Sequence, residues 1–297
     1  MFPLHTWLPD AHTEAPTPGS VILAGVLLKM GTYGLIRFNL ELFPQSSFEY
    51  ASLLSWLAVI GIIYGALVAM IQTDVKKLVA YSSVSHLGFV VLGIFSMTVE
   101  GIQGGIIQMV NHGLSTGMLF LLVGMIYERS HTREISEFGG LARVMPVFTV
   151  FFAIAMLASV GLPGLNGFVG EYLTLIGAFS SPFLNSYTYA IIAASGVIFA
   201  ACYLLWMFQR VMFGTNDNPQ NHNLKDLSKK EWTILVPIVI FIVWIGVQPN
   251  TFLKISDVST KALVNKLEII KFGKPKYQMP DLEGNYILEE QKEQKSK

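Results

Sequence analysis

Four ionisable side chains lie inside long apolar runs of this sequence: Lys29, His86, His112 and Glu171. A charge at membrane depth is costly, so each of these groups needs a reason to be there. Lys29 stands eight residues after Val21 and nine before Phe38, about 12 Å from either end of its run at about 1.5 Å rise per residue. A lysine stem reaches about 6 Å, too short for the ammonium to snorkel fully to water. An amine placed there gains or loses its proton according to the charges beside it, which makes it a relay element. His86 ends the run Tyr81-Ser-Ser-Val-Ser-His86, and His112 ends Gln108-Met-Val-Asn-His112. Histidine titrates near neutral pH and passes a proton between its two ring nitrogens. Either one alone reads as a hydrogen-bonded packing residue. Together with Lys29 they read as steps of a proton or ion path. Glu171 follows closely on Gly161-Leu-Pro-Gly-Leu-Asn-Gly167. A helix broken at membrane depth is tolerated where it is buried in protein or lines a wet cavity, and transporter ion sites are built that way.

The elements that hold these residues follow from composition. Of 297 residues, 52% are hydrophobic and 13% charged, against about 25% charged in a soluble domain. That excludes a soluble enzyme and a disordered chain. Twenty Lys+Arg balance twenty Asp+Glu, so there is no basic surplus for nucleic acid. The one cysteine, Cys202, excludes a disulfide framework and cysteine-held clusters. No His/Cys/carboxylate group has metal-ligand spacing, since His5 and His12 lie seven apart beside Pro9. No Walker or GxGxxG motif is present. A bilayer span needs about 20 mostly apolar residues, and seven such segments are expected: 21–38, 51–71, 78–95, 102–127, 146–179, 187–212 and 232–247. The fifth is too long for one straight span and carries the Gly161–Gly167 break, while the last is short and extendable towards Phe252. The fold class is an all-α integral membrane bundle of about seven spans, one broken mid-membrane, with the lipid bilayer as its first partner.

Orientation follows the basic residues of the short loops. Lys76, Lys77, Arg129, Arg133, Arg143, Arg210, Lys225, Lys229 and Lys230 fall after the second, fourth and sixth spans, and Arg37 alone falls on the other side. The N-terminal segment is therefore on the cytoplasmic side and the C-terminus on the far side. Residues 1–18 lack a basic n-region and hold prolines, acids and two histidines, so they are no signal peptide and read as a re-entrant piece. The chain divides into a transmembrane region, 1–253, and a polar tail, 254–297. Within the tail, 258–272 suits an amphipathic surface helix with Leu263, Leu267 and Ile270 on one stripe. Residues 274–297 read as solvated and mobile.

The motifs resemble one family closely. Pro3-Leu-His-Thr-Trp-Leu-Pro-Asp-Ala-His12 with Glu14-Ala-Pro, and the run from Gly19 to Lys29, are similar to the antiporter-like subunits of proton-pumping NADH:quinone oxidoreductase, respiratory complex I. So are Gln72 to His86, Gln108 to Ser115, Tyr127 to Arg133 and Gly139-Gly-Leu141. The likeness covers roughly residues 1–215. It implies an Mrp-type half-bundle with Lys29 as the central lysine, His86 and His112 as the connecting relay and Glu171 as the terminal group. One of the family's large antiporter-like chains has glutamate in the broken helix where the others have lysine, and Glu171 matches the former. The resemblance also implies other membrane and peripheral subunits of complex I as partners and a bacterial plasma membrane. No cofactor is expected on this chain, with NADH, FMN, Fe–S clusters and quinone on partner subunits. A subunit of a multi-subunit Na⁺/H⁺ antiporter, or the membrane arm of a membrane-bound hydrogenase, is the alternative, and Lys29 argues against a mere scaffold. The family's fourteen helices include an input half with a glutamate–lysine pair ahead of Pro3. The expectation is thus that this sequence is a truncated second half, unable to pump as it stands.

Overall fold

The structure, a computed structural model, describes residues 1–215 and 218–277. Its helices are α1 (Trp7–Glu14), α2 (Thr17–Leu40), α3 (Pro44–Met70), α4 (Val75–Phe95) and α5 (Val99–Ser130). They are followed by α6 (Pro146–Val160), α7 (Asn166–Phe179), α8 (Thr188–Met212), α9 (Lys229–Val247) and α10 (Asn250–Phe272). Six of the described helices, α2–α5, α8 and α9, are long and apolar enough to cross a membrane. The broken pair α6–α7 occupies the segment expected from sequence as the fifth of seven spans.

Local chemistry sets the ends. The Asp74 carboxylate caps α4 by accepting from the Lys76 and Lys77 amides at 2.6 and 3.1 Å. Thr98 caps α5 through the Gly101 amide, and Ser228 with Glu231 forms a capping box on α9. Each cap satisfies amides that a helix start leaves without partners. The first two spans also start before their apolar runs, at Thr17 and not Val21 and at Pro44 and not Ala51, each with a proline in its first turn in place of a side-chain cap. The last ends at Val247, short of Phe252, and a new helix begins at Asn250.

The inner pair is α4 and α5, with 89% and 78% of their apolar windows buried, against 28% for α2 and 17% for α9. On α2, Val26, Met30, Tyr33 and Phe38 face outwards while Lys29 turns in at 8% exposure. Two stretches of α2, Leu23–Leu27 and Leu35–Leu40, are wound as π-helix.

The basic loops gather at one end. There the Lys76 ammonium donates to the Ala15 carbonyl at 2.6 Å, and Arg133 donates to the Thr13 carbonyl at 3.0 Å while pairing with Asp74 at 3.3 Å. Arg129 grips both oxygens of Glu231 at 2.8 and 2.7 Å. At the opposite end α10 lies against the bundle. Gln103 of α5 donates to Asp257, and Lys266 donates to the Glu41 carbonyl beyond α2. Leu263, Val264 and Leu267 are buried there, but Ile270, expected on the same stripe, is 40% exposed. The helix also starts earlier than 258, because Pro249 and Asn250 open it directly after the last span. Of the tail read as mobile, residues 278–297 lie outside the described residues.

Candidate functional site

The four residues singled out by sequence lie on four helices, α2, α4, α5 and α7, and form one line. The Lys29 ammonium contacts the ring Nδ1 of His112 at 2.7 Å and folds back onto the Ala24 carbonyl in the π-wound turn. A π turn inside an α-helix often marks a functional position, since it re-aims the residues that follow. The rings of His112 and His86 meet at a tilt of 65° with centroids 6.0 Å apart. His86 Nδ1 lies 2.9 Å from a carboxylate oxygen of Glu171. All four side chains are buried: Lys29 is 8% exposed, His86 3%, His112 2% and Glu171 3%.

The structure sets the order within the histidine pair: His112 is the residue that touches Lys29, and His86 the one that touches Glu171. Ring chemistry then follows: an ammonium donor makes His112 Nδ1 an acceptor, and a carboxylate acceptor makes His86 Nδ1–H a donor. Beside the two rings runs a narrow void walled by His86, Gln108, His112, Ser115, Thr116, Ala158, Ser159 and Gly167.

The break in the fifth span is shaped around Glu171. Gly161 ends α6 at φ 83°, a left-handed conformation that suits glycine. A side chain there would start 2.8 Å from a Glu171 carboxylate oxygen, so glycine also makes room for the acid. Asn166 opens α7, and its carbonyl accepts from the Asn111 amide of α5 at 2.7 Å.

Several polar neighbours carried no separate weight in the sequence. Gln108 donates to Glu171 at 3.4 Å, one turn before His112 on the same face of α5. Asn111 clamps the break, and the Tyr203 hydroxyl of α8 lies 3.5 Å from His86 Nε2. Gln108 and Asn111 sit within a quoted motif and so were within reach. Tyr203 lies in an apolar run with nothing to mark it. Among the described residues, no three His, Cys, Asp or Glu side chains gather as a metal site.

Buried titratable groups strung across a transmembrane bundle with one broken helix define the class: a polytopic membrane protein with a line of polar contacts through its interior. The comparisons with known proteins agree. The profile of the NADH:quinone oxidoreductase/Mrp antiporter transmembrane family matches residues 1–200. NADH-quinone oxidoreductase subunit M of Rickettsia prowazekii is 48% identical over 266 residues, which is 90% of this chain and 53% of that protein. NADH-ubiquinone oxidoreductase chain 4 of Chondrus crispus is 46% identical over 270 residues, 91% of this chain and 54% of that one. A chain of respiratory complex I from Thermus thermophilus superposes with a TM-score of 0.81 at 39% identity, over 90% of this chain and 55% of that chain. A chain of the Mrp complex from Dietzia shares the fold, with a TM-score of 0.79 at 18% identity over 89% and 57% of the two chains. The chain belongs to the NADH:quinone oxidoreductase/Mrp antiporter transmembrane family. It spans about half the length of the curated relatives it matches.

Proposed function

We propose that this chain carries a proton-relaying half of an antiporter-like subunit of NADH:quinone oxidoreductase. The observation behind this reading is the buried line Lys29–His112–His86–Glu171, closed by contacts of 2.7 and 2.9 Å at its two ends. A proton leaving Lys29 is accepted at His112 Nδ1, while the far ring nitrogen releases its own, so the proton crosses the ring without the side chain moving. The step to His86 follows, and His86 Nδ1–H delivers to Glu171. No bond other than N–H and O–H is made or broken. Residues 1–253 serve translocation, while redox chemistry and its NADH, FMN, Fe–S and quinone groups belong to partner subunits, which drive the proton off Lys29. The setting is the inner membrane of a bacterium, as in the Rickettsia relatives.

A Na⁺/H⁺ antiporter subunit is the second reading, since the Mrp chain has the same fold. Relatives at 46–48% identity are oxidoreductase subunits, and that favours the first. The test is Lys29→Ala in the full-length protein within its assembled complex. NADH-driven acidification of inverted vesicles should be lost, and pumping at the unaltered rate would overturn the relay. Co-purification without flavin or Fe–S subunits would favour the antiporter.

A further inference from the structure

His12 of α1 takes no part in the line described above, yet it is fully buried and lies close to it. Its ring stacks on Phe120 of α5, with centroids 4.5 Å apart and planes 10° off parallel. Its carbonyl accepts from the Ser20 hydroxyl of α2. Neither ring nitrogen has a hydrogen-bond partner. Leaving a buried polar atom unsatisfied is costly, and a phenyl ring would make the same stack at no such cost. Packing alone therefore does not account for histidine here.

The surroundings supply a reason. On the basic-loop side, Thr13, Glu14, Thr17, Lys76, Tyr127 and Arg133 help to wall an opening of roughly 300 Å³. Thr13 and Glu14 are the two residues that follow His12 in the same helix. The charges of Lys29 of α2 and Lys76 of α4 bear on His12, and His12 in turn bears on His112 of α5. The imidazole thus immediately precedes two residues that wall the basic-face opening and lies within electrostatic reach of the amine that heads the relay.

We propose that His12 is the uptake residue of the path, taking protons from the basic-face opening and passing them to Lys29. This rests on the relay reading above and extends it by one step. The proton arrives on one ring nitrogen while the other gives up its own, so nothing is oxidised and no charge is retained. Burial, with Lys76 and Lys29 nearby, holds the imidazole down at about 4. The ring is accordingly neutral at rest and offers one acceptor and one donor, the state a shuttle needs.

The test uses the full-length protein in its assembled complex in vesicles. His12→Phe keeps the stack on Phe120 and removes both nitrogens; assembly should be unchanged while pumping falls about tenfold or more. His12→Ala should pump as poorly and recover with added imidazole, but not with thiophene, an apolar ring of similar size. Should His12→Phe fail to assemble, the His12→Ala rescue decides alone. Pumping by His12→Phe at the unaltered rate, with Lys29→Ala inactive, would sink the uptake role and leave the relay standing. Equal rescue by imidazole and thiophene would show a packing role and also overturn it. Full pumping by Lys29→Ala would sink both.

Discussion

The Asn111 side-chain amide donates to the Asn166 backbone carbonyl at 2.7 Å, and the Asn166 amide returns a bond to the Asn111 carbonyl at 3.3 Å. Both residues are fully buried. The pair fastens the first residue of α7 to the middle of α5, one turn of α7 before Glu171. Asn111→Leu removes the donor and leaves a buried carbonyl without it, which should cost about 1–3 kcal/mol. Thermal unfolding of the complex would measure the cost, and vesicle pumping would show the Glu171 end of the path disturbed.

Glu171→Gln tests the carboxylate itself. The amide fills the same space and can still accept from His86 Nδ1, but it takes no proton. Pumping should fall about tenfold or more with assembly intact. Vesicle acidification by Glu171→Gln at the unaltered rate would remove the acid from the path.

Gly104 of α5 faces α7 so closely that a methyl group would start 2.6 Å from the Thr174 amide nitrogen. Backbone cannot yield as a flexible side chain does. Gly104→Ala should push α7 off α5 and destabilise by about 1–3 kcal/mol, the usual cost of overpacking. A melting temperature equal to that of the unaltered protein would contradict this contact.

Arg129 holds Glu231 in a two-pronged pair, with the side chains 18% and 15% exposed. Arg holds both carboxylate oxygens at once, and the Arg129 side chain also donates to the Met125 carbonyl at 2.7 Å and the Lys225 carbonyl at 2.9 Å. Arg129→Lys should keep the charge and lose the fork, so it should recover only part of the roughly 1–3 kcal/mol that Arg129→Ala removes. Parallel melts of the two variants are the measurement.

The pH dependence of stability carries the signature of His12. Its imidazole sits at about 4 in the folded chain and near 6.5 when unfolded. Between those values the unfolded chain binds the extra proton, so stability must fall as pH drops from about 6.5 towards 4. His12→Phe should flatten that part of the profile. Superimposable melting-temperature profiles for the two proteins would refute the burial of a neutral ring.

Lys29 and Glu171 were legible because each is a charge alone in an apolar run, and the break was legible because Gly161 and Pro163 forbid a continuous helix. The spans were legible too, within seven residues at their ends. What sequence could not supply was rotation about each helix axis. Whether His86 or His112 meets Lys29 depends on how α4 and α5 turn against α2, and the π-wound stretch over Leu23–Leu27 alters that turn without any marker residue. Tyr203 reaches His86 from α8 only through tertiary packing. His12, in turn, fell within the segment read as a re-entrant piece with nothing to mark it, because its burial under Phe120 is made by a helix more than a hundred residues away.

Because Lys29, His86, His112 and Glu171 are each borne by a different helix, no bundle lacking α2, α4, α5 or α7 contains the whole line. A nascent chain inserting helix by helix carries isolated polar side chains, and none of them adjoins the next until α7 docks against α5. On the proposed relay, a continuous proton path therefore forms only when α7 docks. An intermediate stalled before that point holds no such path.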